Sequence, residues 1–378
     1  MKPVFNFSRP RKSFSFLFIS LFVISGCASN ETQQKPIPDS KPVLEFKPVS
    51  STPSDAVSKD RLELGVGYTA YRGANIYANY KGFFDSSIVE ASTQLALSDK
   101  LVNANQLFTI PDSIFLIGYS ASFRDFKIVP NDSNTKNRQI ALNAIGTMFS
   151  SNRETLVSTI GVEKVTSDTG MAGVTGSQIM FPTTMTYRND ERVHPQIPTE
   201  GLGYFFKTNM EFSAFGEQYI KGFARAQLDI PLNKLITAEL DKFALCFKFF
   251  AGTETSLSNN PVPIVKRFFL ENGSPVRGYA ANAFGYNVNN VPIGGNSMLT
   301  SSTELWMPLF HEDLRAYTFF DAGVMRGNGI STKEIKTSIG AGIAWVSPIG
   351  VISAYYGQTL EKNADYKQSI GLGLGINY

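Results

Sequence analysis

The sequence predicts an all-β protein: a transmembrane antiparallel β-barrel of about sixteen strands, with one long loop folded inward. Three observations carry this. From Arg61 onward, apolar residues alternate with polar or small ones at period two, and successive strand side chains point to opposite faces. The alternating segments run about 9–13 residues, the span of a tilted transmembrane strand. Aromatic residues gather near segment ends, as in interfacial girdles. Phe (30), Tyr (15) and Gly (31) are abundant, yet beyond the N-terminus no apolar run approaches the ~20 residues of a membrane helix.

Residues 1–26 read as a lipoprotein signal peptide. Residues 1–13 are basic, residues 14–24 form a short apolar run, and Ser25-Gly26 precede Cys27. A charged start, a short apolar run and small residues describe an export signal. Ile24-Ser25-Gly26-Cys27 also resembles a bacterial lipobox, which implies acylation of Cys27. The alternative is an ordinary signal peptide with an incidental cysteine. Ala28 and Ser29 follow with no Asp at the next position, as in lipoproteins sorted to the outer membrane. The expectation is a protein of the bacterial outer membrane, held on the periplasmic side by lipid at Cys27. The formal net charge is +3, of which Lys2, Arg9, Arg11 and Lys12 supply +4. Without them the chain is near −1, and no basic patch asks for nucleic acid. The second cysteine, Cys246, is left to be a small buried or lipid-facing side chain rather than half of a disulfide.

Residues 27–60 carry Pro36, Pro38, Pro42, Pro48 and Pro53 among polar residues, without sustained periodicity. They read as a disordered tether that, fully stretched, would reach ~110 Å. Residues 61–378 read as the barrel. Its predicted strands are 61–71, 74–82, 86–98, 103–109, 112–126, 137–150, 154–168, 175–188, 201–213, 217–231, 240–253, 297–308, 313–325, 334–346, 350–359 and 366–378. The last is the clearest: Tyr366, Gln368, Ile370, Leu372, Leu374, Ile376 and Tyr378 oppose Lys367, Ser369, Gly371, Gly373, Gly375 and Asn377. An even strand number puts both ends on one side, which with tight periplasmic turns is the periplasm. Residues 254–296 are too long for a hairpin connection, and loops of that kind are usually functional or disordered.

That long segment contains Val276-Arg277-Gly278-Tyr279. Gly294-Gly295-Asn296, Glu304 and Pro308, Phe319-Phe320-Asp321-Ala322-Gly323, Gly340-Ala341-Gly342 and Ser347-Pro348-Ile349-Gly350 follow in order. Gly65-Val66-Gly67-Tyr68 and, in mid-chain, Arg188, Asp190, Pro195 and Gly201 stand upstream. Together these resemble the barrels of BamA-like assembly factors and two-partner secretion transporters, the surface-antigen family. The terminal strand ending in Tyr378 resembles the recognition signal of outer-membrane barrels. The resemblance implies a loop folded into the lumen, with Arg277 locked on acidic groups of the inner wall, here Asp321 and Glu304; Val276, Gly278 and Tyr279 complete the loop motif. Asp321 and Glu304 fall on the faces away from lipid, where a carboxylate is affordable, and an inward guanidinium can bridge them. Residues 28–60 are too short and proline-rich for the family's periplasmic POTRA domains, so the expected form is POTRA-less.

Two functional classes stand open. In the first, β-strand separation at the seam between 61–71 and 366–378 admits a client chain by β-augmentation. Gly371, Gly373, Gly375 and Tyr378 mark that seam, because interior glycines weaken a strand; the same glycines could instead relieve crowding where the sheet curves. The clients would be outer-membrane or secreted polypeptides. In the second, the barrel is a non-transporting subunit beside another barrel or a second copy. An enzyme is not expected. His194 and His311, the only histidines, lie far apart without a nucleophile–base constellation, and no metal-ligand or cofactor-binding spacing occurs. A diffusion porin is disfavoured because the Arg277 loop would obstruct the lumen.

Overall fold

Alternation without long helices leaves each strand two faces to satisfy, and only a closed sheet leaves no edge to hydrocarbon. The computed structural model describes residues 61–69, 73–84, 86–96, 99–111, 113–127, 136–149, 153–167, 176–192, 197–198, 202–237, 240–269, 276–279, 287–288, 291–292, 294–311, 313–327, 335–347, 350–361 and 368–375. Cys27, the tether, His194 and Tyr378 lie outside them. The strands are β1 (Arg61–Thr69), β2 (Gly73–Phe84), β3 (Ser87–Ala96), β4 (Asp99–Thr109), β5 (Phe115–Lys127), β6 (Lys136–Phe149), β7 (Glu154–Ser167), β8 (Gly176–Asp190), β9 (Gly203–Gly216), β10 (Tyr219–Pro231) and β11 (Ala244–Ser256). The two-residue strands β12 (Asn287–Val288) and β13 (Val291–Pro292) follow. Then come β14 (Ser297–Pro308), β15 (Leu314–Arg326), β16 (Lys336–Ser347), β17 (Gly350–Thr359) and β18 (Gln368–Gly375).

All but β12 and β13 form one closed antiparallel barrel, in which each strand pairs with its chain neighbours, β11 with β14, and β1 with β18. The strand positions match the expectation, with shifted ends. The predicted strand from residue 240 begins at Ala244, because Leu232–Leu235 forms a helical turn and Lys242 takes φ 63°. The predicted strand 103–109 starts earlier, at Asp99, whose carboxylate is held by Arg124 Nε and Nη2 at 3.0 and 2.8 Å. Sixteen barrel strands place the first and last at one end of the cylinder, here the terminus side. The connection from β11 to β14 lies at the other end, the loop side.

The faces separate as the alternation requires. On β14, Met298, Thr300, Ser302, Glu304 and Trp306 are buried; on β15, Arg315, Tyr317, Phe319, Asp321 and Met325 are. Their neighbours Leu299, Phe320, Ile339, Ile343 and Trp345 are exposed on the outside, the pattern of a lipid-facing wall. Cys246 is free and buried within an inward cluster of Ala244, Trp306, Tyr317, Phe319, Ala344 and Val351.

Inward glycines have a specific cause. A Cβ on Gly340 would overlap the Phe319 ring and the Tyr356 carbonyl, one on Gly342 the Tyr317 ring, and one on Gly371 the Tyr355 ring. Aromatic rings lie flat across neighbouring strands, and glycine leaves room beneath each.

Candidate functional site

The site is built where the long loop meets β14 and β15. Glu304 and Asp321 reach the lumen because both occupy the buried parity of their strands. A carboxylate buried alone would be costly, and the loop supplies the counter-charge. The Arg277 backbone N–H donates to Asp321 Oδ2 at 2.8 Å, and its Nε and Nη2 donate to Oδ2 and Oδ1 at 2.9 and 2.8 Å. Nη2 also donates to Ser302 Oγ at 2.9 Å, and Nη1 lies 2.8 Å from Glu304 Oε1. Glu304 is further held by Lys248 Nζ, 2.9 Å from each carboxylate oxygen, and by Trp306 Nε1 at 2.8 Å.

The guanidinium sits 3.5 Å from the centre of the Phe319 ring. Tyr317 follows on the same wall and stacks on Trp306 at 4.4 Å. Burial alone would push the Arg277 pKa down; hydrogen bonds to Asp321 and the charges of Glu304 and Asp321 outweigh it and hold it above the ordinary arginine value. Arg277 is therefore a permanent cation.

The flanking motif residues fit the backbone to this lock. Gly278 takes φ +97°, and a Cβ there would lie 3.1 Å from the Gln358 backbone, so only glycine fits easily. Val276 is buried with Phe250, Phe268, Tyr279, Met298 and Met325. The Tyr279 hydroxyl donates to the Thr337 carbonyl at 3.0 Å. The loop tip thus touches β14 through β17.

Two further attachments lie outside the arginine motif. Lys266, in the short 3-10 turn Ile264–Lys266, places Nζ 2.7 Å from both Glu163 Oε2 of β7 and Glu211 Oε1 of β9. Gln139 Nε2 donates to Glu163 Oε1 at 2.9 Å, and the Tyr219 hydroxyl donates to Glu211. Burial disfavours the ammonium, but Glu211 and Glu163 outweigh it and raise the Lys266 pKa above the ordinary lysine value. The loop therefore spans the lumen from β7 to β15, six strands apart round the circumference. At the terminus side, Ile197, between β8 and β9, is 1 % exposed and joins the Ala244–Trp306–Tyr317 cluster. Arg192 anchors that connection, donating to Asp190 Oδ1 and Oδ2 at 2.8 and 2.7 Å and lying 4.6 Å from the Phe205 ring. His311 is in an exposed turn beside Asp313. Among the described residues no group of three His, Cys, Asp or Glu is placed to hold a metal.

At the seam, among the described residues, β1 meets β18 in three register pairs, Gly67 with Gly373, Tyr68 with Leu372 and Thr69 with Gly371. β1 meets β2 in nine pairs, and β17 meets β18 in eight. Leu374 and Gly375 pair with Ile352 and Val351 of β17 but not with β1 among the described residues. Gly371 lies under Tyr355, so its lack of a side chain serves packing.

A closed sixteen-strand barrel whose lumen is crossed by an arginine-locked loop defines a class of outer-membrane barrel. The Omp85 superfamily domain matches residues 54–378. The chain belongs to the Omp85 superfamily. It is 27 % identical over 138 residues to the outer membrane protein assembly factor BamA of Neorickettsia risticii, covering 33 % of this chain and 18 % of that one. It is 25 % identical over 165 residues to a SAM50-like protein of Drosophila melanogaster, covering 41 % and 35 %. The chain thus matches about a fifth and a third of the length of these relatives. Among solved structures, BamA of Haemophilus ducreyi lacking POTRA domains 1–3 superposes with a TM-score of 0.69 at 16 % identity, covering 84 % of this chain and 70 % of that one. CdiB of Acinetobacter baumannii gives 0.58 at 10 %, covering 84 % and 60 %. Both likenesses concern the fold.

Proposed function

We propose that this barrel inserts or translocates polypeptides at the bacterial outer membrane, and that clients enter at the β1–β18 seam. The observation that carries the reading is that the end of β18, at Leu374 and Gly375, pairs with β17 but not with β1 among the described residues. Opening the seam starts from that free edge, and the strand edges it exposes would template a client strand by β-augmentation. The arginine lock favours the seam over the lumen as the route, because the loop tip is fastened to the wall at Asp321, Glu304 and Ser302. Its role in this reading is to keep β14–β17 rigid while β1 and β18 part. The relative named as an outer-membrane protein assembly factor supports the same direction.

In this reading residues 1–26 are cleaved, Cys27 carries lipid on the periplasmic side, and residues 27–60 tether the barrel there. Several acyl chains at about 0.8 kcal/mol per buried CH₂ would make that anchor firm. Cys27→Ala should abolish incorporation of labelled palmitate; full incorporation in the variant would remove the anchor from the reading.

The seam is tested with Tyr68→Cys and Leu372→Cys, which are register partners. Oxidation should stop insertion of a client barrel into proteoliposomes, and reduction should restore it. Unchanged insertion with the disulfide fully formed would refute entry at the seam.

A further inference from the structure

The two limbs of the loop meet before its tip. Phe268 and Gly295 exchange both backbone hydrogen bonds at 2.9 Å, and the Phe268 ring lies where a Cβ on Gly252 would be. This bridge separates the limb 257–267, which carries Lys266, from the tip, which carries Arg277. The two attachments also differ in kind. Arg277 is fixed by a bidentate fork, a backbone N–H and a ring face, a geometry that resists sliding. Lys266 is a point charge between two carboxylates.

Beside Lys266 the pairing is incomplete. In register, Lys221 of β10 stands between Glu211 of β9 and Glu254 of β11. Its Nζ nevertheless donates to the backbone carbonyl of Lys266 and lies 4.6 Å from the Phe268 ring centre. Glu254 is 5 % exposed; neither of its carboxylate oxygens has a hydrogen-bond partner among the described residues, and the cations that act on it are Lys221 and Arg267, the latter on the limb itself. A buried carboxylate without a hydrogen bond is costly even beside cations, so Glu254 stays under-satisfied while the loop is latched.

We propose that Lys266 is a releasable latch, independent of the Arg277 lock, and that Glu254 is the catch of the released state. When the limb 257–267 lifts, it takes Arg267 away from Glu254, and Lys221, having lost the Lys266 carbonyl, turns onto Glu254, one strand away. Glu163 and Glu211 are left facing the lumen to take Lys266 back. The tip stays on Asp321 throughout. This proposal concerns the loop alone and does not depend on client entry at the seam.

Hydrogen exchange on the full chain in lipid nanodiscs reads the two limbs separately. Lys266→Met should raise exchange across 257–267 by about tenfold or more and leave 276–279 at its native rate. Glu254→Gln should slow exchange across 257–267, because it relieves the latched state and weakens the catch. Equal deprotection of limb and tip in Lys266→Met would make them one unit and overturn the independent latch. Unchanged or faster limb exchange in Glu254→Gln would overturn the catch. Should Lys266→Met fail to fold, spin labels at Asn260 and on β7 report the same limb in an otherwise native chain. A single short distance, unaltered by Glu254→Gln, would then overturn the proposal.

Discussion

Arg277 neutralises two carboxylates that the barrel cannot hydrate. Removing its side chain leaves Asp321 buried with the backbone N–H of residue 277 but without the two guanidinium hydrogen bonds, whereas Glu304 keeps Lys248 and Trp306. Arg277→Ala should therefore destabilise the barrel by about 3–5 kcal/mol, the cost of stranding one partner of a buried pair. Arg277→Lys should fall between, since an ammonium keeps the charge but loses the fork and ring contact. Urea titration in detergent micelles measures both; equal stability of Arg277→Ala and the native chain would contradict the lock. The glycines allow a graded test. Gly340→Ala meets a backbone carbonyl as well as Phe319, Gly371→Ala meets only the Tyr355 ring, and Gly146→Ala meets nothing within 4 Å. The expected order of destabilisation is Gly340, Gly371, Gly146, with about 1–3 kcal/mol at the first for overpacking. A cost at Gly146 as large as at Gly340 would contradict the ring-over-glycine packing.

At the scale of elements, the strands were legible because lipid outside and a filled lumen inside impose one parity along each strand. β14 and β15 show this most plainly: every residue assigned to the lumen of β15 from Arg315 to Gly323 is buried. The meeting of Arg277 with Asp321 and Glu304 was legible through motif resemblance and lumen parity together. Lys266 was not, because a lysine in an irregular segment has no period to betray its direction. The available signal was indirect: Glu163 and Glu211 occupy lumen-facing positions without a cation of their own strand beside them. Ile197 was hidden likewise: the resemblance marked Arg188, Asp190, Pro195 and Gly201 around it but gave no direction for its side chain. Its burial and that of the loop tip predict that the lumen is closed in two places. Deleting residues 270–293 alone should raise conductance in planar bilayers only slightly, and adding Ile197→Gly and Pro198→Gly should raise it again. A full-sized channel from the loop deletion alone would show that the β8–β9 connection contributes no closure.

For the whole molecule, closure and weakness meet at one place. The barrel removes its edges by joining β1 to β18, yet at Leu374 and Gly375 the described part of β18 runs on along β17 without pairing with β1. The last strand reads as a seam because it closes on the first and carries glycines; of the two roles open for those glycines, Gly371 has the packing one, under the Tyr355 ring, and the free edge at Leu374 and Gly375 comes from the register. That register could not be read from the sequence, since alternation fixes which face a residue takes and leaves open how far two strands overlap. The most direct test places photoreactive residues at Tyr68 and Leu372 on the seam, and at Ile160 and Ile179 on the opposite wall, in cells making an outer-membrane client. Client adducts at the seam positions and none at the wall positions are the predicted result. Equal adducts at all four, or one fixed protein in place of clients at the seam, would contradict entry between β1 and β18.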